Sequence, residues 1–315
     1  MRVGYLWSGD ERWHNHTLVP GRMHMNVLPT LLGYDVLHWE ERAQWAGDYD
    51  LVIVQHFTRN YSVLEPVREK FLGARLAMRP DRPPEWEARR RSEVFGWLMH
   101  DLMLADVVLD AMPDGRRASF YAQMVSKPVS LLPSPIVPHP DVVELRKRSR
   151  RGVVGWLHPA DEAHRWPTLA TLAALQRLTG TDVTVINAVA RDKQVAQQLG
   201  LVAAFETAPG HEGFIDLLSQ AELLIDLFPM HTPHRVATVA AYLGTPTVTG
   251  RDTPDVGHVR VDAWSGDGVI AALELLAPDR REAAVQAGIY HVEKTHMPDA
   301  IRQAVEALVD EKVIA

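Results

Sequence analysis

Residues 221–250 read AELLIDLFPMHTPHRVATVAAYLGTPTVTG. The stretch 221–228 is short, almost wholly apolar and stopped by Pro229, the pattern of a strand buried on both faces. Residues 234–243 carry helical spacing until Gly244 ends it, and 245–250 form a second short strand. Two parallel strands need a long crossover between them, and a helix supplies it. The segment therefore reads as strand, helix, strand, the repeating unit of a parallel sheet.

The same alternation extends outward in both directions. Upstream, RGVVGWL (151–157), DVTVINA (182–188) and VAAFET (202–207) read as strands, separated by helices at 166–179, 191–199 and 211–220. Downstream come a short strand, HVRVDA (258–263), and helices at 266–276, 278–293 and 297–312. The first half repeats the pattern with apolar runs at 2–7, 34–39, 50–56, 74–78, 106–111 and 128–132. Helical patterns fall at 21–33, 61–72, 87–104 and 116–124. Between the halves, 133–151 (PSPIVPHPDVVELRKRSRR) holds four prolines and then a basic run, which suits an interdomain connection. The expected fold class is α/β, with two Rossmann-like doubly wound domains facing across a cleft. Their expected bounds are 1–133 and 151–296, joined by a linker at 134–150. A C-terminal helix at 297–315 is expected to pack back on the N-terminal domain.

Composition narrows the function classes. The 315 residues are 46% hydrophobic and 23% charged, as in ordinary globular proteins, with no cysteine. Disulfides and cysteine-ligated zinc are excluded, and a reducing, cytoplasmic setting is expected. No run approaches the ~20 apolar residues of a membrane span. Net charge is −7, whereas proteins that hold DNA through its phosphates usually show a basic surface. Basic residues gather at Arg89–Arg91 and from Arg146 to Arg151, read as a solvated helix face and a charged linker. The sequence contains no Gly-x-Gly-x-x-Gly, no Gly-x₄-Gly-Lys-Ser/Thr and no Gly-x-Ser-x-Gly. Dinucleotide-dependent dehydrogenases, P-loop NTPases and α/β-hydrolases are disfavoured accordingly.

Two doubly wound halves, a proline-rich linker, Gly155-Trp156-Leu157 opening the second half and a helical tail together resemble the GT-B glycosyltransferases over nearly the whole chain. The block 221–250, ending in Gly244-Thr245-Pro246, resembles the retaining members. Their Glu-x₇-Glu signature would fall on His231 and Val239, so both acids are missing. The first half also resembles the phage DNA β-glucosyltransferases. There a Tyr-Asp pair, here Tyr49-Asp50, precedes an apolar strand, a helix and a second strand ending in an aspartate that serves as base. Asp81 occupies that place. The resemblance implies a nucleotide-sugar donor, UDP- or GDP-linked, as substrate. It implies no tightly bound cofactor or metal, and a hydroxyl acceptor that extends to hydroxymethylated bases of phage DNA.

The candidate residues follow the strand ends, where ligands bind in open α/β sheets. Asp81 and Asp10 are the candidate catalytic carboxylates; a turn aspartate or a loop salt bridge is the plain alternative. His14, His16 and Arg82 are candidate acceptor contacts. Two histidines alone, with no third ligand motif, do not make a metal site. His158, His164 and Arg165 follow the first strand of the second half. His231, Thr232, His234 and Arg235 form the densest polar cluster, at a loop and helix start after a strong strand. These seven are candidate donor contacts, cations and N–H groups being what a leaving diphosphate requires. The competing reading, supported by the missing acids, is a two-domain protein that binds a sugar nucleotide or small ligand without catalysis.

Overall fold

The computed structural model describes residues 1–7, 27–56, 60–80, 92–110, 116–158, 162–207, 210–228, 235–250 and 259–310. In chain order the elements begin with β1 (Val3–Trp7), α1 (Leu28–Leu32), β2 (Asp35–Leu37), β3 (Leu51–His56), α2 (Leu64–Lys70) and β4 (Arg75–Pro80). Then come α3 (Ser92–Leu104), β5 (Val107–Asp110), α4 (Arg116–Val125), β6 (Val129–Leu131), α5 (Val142–Arg146), β7 (Val153–Trp156) and α6 (Trp166–Thr179). They continue with β8 (Val183–Ile186), α7 (Ala190–Gln198), β9 (Ala204–Glu206), α8 (His211–Gln220), β10 (Leu223–Asp226) and α9 (Arg235–Tyr242). The last are β11 (Thr247–Gly250), β12 (Val259–Val261), α10 (Asp267–Leu276), α11 (Pro278–Thr295) and α12 (Pro298–Asp310). The described residues form two units, one of those up to Val137 with those from His296 onward, the other of 138–295.

The first unit holds a parallel six-stranded sheet in the order β2-β1-β3-β4-β5-β6. Its central strands are apolar on both sides because both faces are covered. Val52, Val54, Leu76, Met78 and Val108 meet Leu64 and Val67 of α2, Leu98 and Leu102 of α3, and Tyr121 of α4. The opposite face carries Val3, Tyr5, Leu51, Ile53, Val107 and Leu109, against Leu28 of α1 and Ile301, Val305 and Leu308 of α12. Arg75 Nη1 also donates to the Leu308 carbonyl, tying the last helix to β4.

The second unit holds another parallel sheet, in the order β12-β11-β10-β7-β8-β9. Numbered within the unit this is 6-5-4-1-2-3, the dinucleotide-domain order, which reverses direction between β7 and β10. One face packs on α6, α7 and α10 through Leu169, Leu172, Ala196 and Ala272. Helix α6 lies close over β7 because Gly155 has no side chain; a Cβ there would fall 2.3 Å from Leu172 Cδ1 and 3.5 Å from Thr168 Cγ2. Thr168 Oγ1 in turn accepts the N–H of Leu227, just past β10, at 3.1 Å. Gly155→Ala should therefore cost about 1–3 kcal/mol by overpacking. A shifted denaturation midpoint at unchanged slope would show it, and an unshifted midpoint would mean that α6 yields freely.

Two local features differ from the sequence expectation. Residues 142–146 of the connecting stretch form a short helix, and 39–44 a 3-10 turn. The basic run is only partly solvated: Lys147, Arg148 and Arg151 are exposed, whereas Arg146 and Arg150 are half-buried. Arg146 Nε donates to the Tyr242 carbonyl at 2.8 Å, and its Nη1 pairs with Glu293 at 3.0 Å. Arg148 pairs with Asp216 and reaches Ser219 Oγ at 3.0 Å. Arg150 donates to the carbonyls of Ala221 and Leu243 and to Thr245 Oγ1. Burial and the nearby Arg281 push the Arg150 guanidinium down to about 10. Orphan carbonyls at the end of α9 attract Arg146 and Arg150, an interaction the charge pattern alone does not reveal.

Candidate functional site

The strongest cluster of candidate residues lies at the carboxyl ends of β7 and β10, where the strand order of the second sheet reverses. Helices that follow such strands point their N-termini at this edge and offer N–H groups and a positive dipole end. His158 leaves β7 and stacks on Phe228, which leaves β10, with ring centroids 4.1 Å apart and planes 17° from parallel. His164 meets the same phenyl ring edge-on at 5.8 Å. The three rings thus bridge the two strands that flank the reversal. Asp226 ends β10 and is buried, and half-buried Arg235 is the first residue of α9.

Arg165 belongs to this cluster but is already partly engaged. It is 8% exposed, at the N-cap of α6. Its Nε donates to the His158 carbonyl at 2.9 Å, and its Nη1 pairs with Asp192 Oδ2 at 2.8 Å. Asp192, in the first turn of α7, also accepts the Val189 N–H at 2.8 Å. Sequence reasoning missed Phe228 and Asp192. An aromatic residue closing an apolar run was the available signal for Phe228. An acid in the first turn of a helix is too common to have singled out Asp192.

In the first unit, among the described residues, polar groups at the carboxyl end of β3 form a buried network. His56 Nε2 lies 2.8 Å from Asp101 Oδ2, with the two side chains 1% and 0% exposed. The Ser62 hydroxyl donates to Asp101 Oδ1, and the N–H groups of Val63 and Leu64 reach the same carboxylate at 2.8 and 3.2 Å. Asp101, projecting from α3, thereby caps α2, whose own N-cap residue Val63 makes no side-chain cap bond. Burial opposes ionisation of Asp101; the His56 ring nitrogen, its charge, Ser62 and the Val63 N–H outweigh it and hold the carboxyl below its ordinary value. The serine bonds to the aspartate rather than to the histidine, so this is a structural network and not a nucleophile with its base.

Of the residues singled out by sequence, the structure brings His158, His164 and Arg165 together and places Arg235 after the neighbouring strand end. Asp10, His14, His16, Asp81, Arg82, His231, Thr232 and His234 lie outside the described residues. The chain leaves β4 at Pro80, one residue before Asp81, and leaves β1 at Trp7, three before Asp10. Gly244-Thr245-Pro246 lies at the opposite end of the sheet. Gly244, at φ +76°, ends α9; Thr245 Oγ1 donates to the Leu218 carbonyl at 2.6 Å, and the Pro246 carbonyl accepts from Leu224 at the start of β10. This motif is a helix stop and strand start, not a ligand contact. Among the described residues no group of three or more His, Asp or Glu is placed to hold a metal ion. No helix among them is long and apolar enough to cross a membrane.

By sequence, no family model and no curated protein matches the chain. By structure, it is similar to sucrose-phosphate synthase from Thermosynechococcus elongatus, over 100% of both chains at 14% identity and a TM-score of 0.71. It is similar to Anabaena HepE, solved with UDP and glucose, over 98% of this chain and 99% of that one, at 12% identity and a TM-score of 0.66. A third neighbour is a UDP-forming α,α-trehalose-phosphate synthase from Burkholderia xenovorans, matched over 86% of this chain and 76% of that one at 11% identity and a TM-score of 0.64. The fold is that of the GT-B glycosyltransferases.

Proposed function

We propose that this protein is a glycosyltransferase that moves a sugar from a UDP-linked donor to an acceptor hydroxyl. The observation that carries the reading is the cluster of His158, His164, Arg165 and Phe228 at the reversal of a dinucleotide-type sheet, with Arg235 opening the helix that follows β10. It is supported by full-length likeness of the chain to HepE, a protein solved with UDP. In this reading the second unit binds the donor and the first binds the acceptor. Arg165, Arg235 and the helix N-termini neutralise the diphosphate, with His231, Thr232 and His234, which precede α9 in sequence, adding to them. No metal is needed, since these cations and dipoles meet the charge that develops on the leaving group. Asp81 or Asp10, with His14, His16 and Arg82 nearby in sequence, would serve the acceptor.

The test is turnover of the purified protein with UDP- and GDP-linked hexoses and pentoses. Acceptor arms are sugar phosphates, glycans and DNA carrying hydroxymethylated bases; the last arm decides the phage DNA reading. Release of nucleotide diphosphate with transfer supports the proposal. Tight UDP binding without transfer to any acceptor would favour a non-catalytic binder. For the donor site, Arg235→Ala should weaken UDP binding by about 1.5–3 kcal/mol, the range for a hydrogen bond to a charged group. Calorimetry reads it, and unchanged affinity in a folded variant would move the diphosphate away from α9.

A further inference from the structure

Asp192 is 1% exposed and does two jobs with one oxygen. Accepting the Val189 N–H caps α7, and that contact needs no net charge. Pairing with Arg165 removes two ions from water, and such a pair is a poor source of stability, because desolvation offsets the attraction. What the pair does provide is direction. Arg165 is gripped at Nη1 by Asp192 and at Nε by the His158 carbonyl. Its Nη2 hydrogen-bonds to none of the described residues, and the guanidinium stands at the N-terminus of the 14-residue helix α6. A planar cation held at two corners keeps its remaining N–H donors aimed in one direction.

We infer that Asp192 is a positioning residue of the donor site, one that orients the Arg165 guanidinium towards the diphosphate of a nucleotide-linked ligand. The ligand is recognised as a pyrophosphate carrying a nucleoside: a preset guanidinium beside a helix N-terminus matches the charged oxygens, and the ring stack offers an apolar surface alongside. This role rests on the nucleotide-sugar reading above.

The experiment titrates UDP, inorganic pyrophosphate and uridine into wild-type protein, Asp192→Asn, Arg165→Lys and the double variant. Asparagine keeps the volume and an acceptor for Val189, so amide exchange in the first turn of α7 should stay near wild type. UDP and pyrophosphate affinity should fall about tenfold or more in each single variant. The double variant should lose little beyond either one, since both break the same link. Uridine, lacking phosphate, should bind all four proteins alike. Wild-type affinity for UDP in folded Asp192→Asn, additive losses in the double variant, or an equal loss for uridine would each overturn the inference while leaving the donor reading intact. Wild-type protein that binds neither UDP nor pyrophosphate would overturn both. Should Asp192→Asn not fold, Arg165→Lys asks the question alone. Lysine keeps the charge and loses the two-point grip, so unchanged UDP affinity there overturns the role.

Discussion

Asp101→Ala is expected to cost the first unit about 3–5 kcal/mol, the loss typical of removing one partner from a buried charge pair. The substitution strands four groups at once: the His56 ring, the Ser62 hydroxyl and the N–H groups of Val63 and Leu64. Each is buried, and an unsatisfied buried donor carries its full desolvation penalty. Hydrogen exchange at the start of α2 should accelerate before that of the second unit, which shares none of these contacts. Protection at Val63 and Leu64 equal to wild type would show that α2 does not depend on this cap. The pH dependence follows the same contacts. The Asp101 carboxyl is held below its ordinary value of 3.8, so its stabilisation is complete above that value and is lost as pH falls from there through the lowered folded value. Acid unfolding of wild type should include this component, and Asp101→Asn should lack it.

Asp81→Asn is expected to cut sugar transfer by ~10²–10⁴, the usual loss when a general base is removed, with UDP affinity nearly unchanged. Strand β4 ends at Pro80, one residue before Asp81 in sequence. Asp10 follows β1, one of the two strands where that sheet reverses direction, and the position of ligands in open sheets favours it. The resemblance to DNA glucosyltransferases favours Asp81 instead. Parallel assays of Asp81→Asn and Asp10→Asn decide between them: the base is the residue whose loss slows transfer without weakening UDP. Near-normal turnover in both would mean that neither carboxylate takes the acceptor proton, as in a transfer that retains configuration.

The fold was legible because a parallel sheet buried on both faces needs continuous apolar runs, and helices covering it need periodic ones. Helices α6 and α8 occupy the residues that periodicity assigns to them, 166–179 and 211–220. Strand ends were less sharp: 221–228 narrows to Leu223–Asp226, because Leu227 and Phe228 continue the apolar run after pairing stops. The site was only half legible. His158, His164 and Arg165 stand out as polar residues after a strand. Their partner Phe228 lies about 70 residues away and joins them only because the sheet order sets β10 beside β7. Asp192 and Asp101 sit in helices whose apolar pattern gives no sign of an inward-facing acid. The motif that most resembled a known family, Gly244-Thr245-Pro246, shapes a turn at the far end of the sheet from the ligand edge.

The packing of α12 against β1, β3 and β5 sets an order for the making of the molecule. Residues 138–295 are continuous and can close their core as soon as they leave the ribosome. The first unit cannot. Val3, Tyr5, Ile53 and Leu109 wait on one face of its sheet for Ile301, Val305 and Leu308, which follow the whole of the second unit along the chain. At 5–20 residues per second the wait lasts roughly 10–30 s. Throughout that interval a nascent chain presents an apolar sheet face, partly covered by Leu28, to every chaperone and every neighbouring polysome. A chain cut short before Pro298 would keep the residues of the second unit and leave the first with an uncovered, adhesive sheet face.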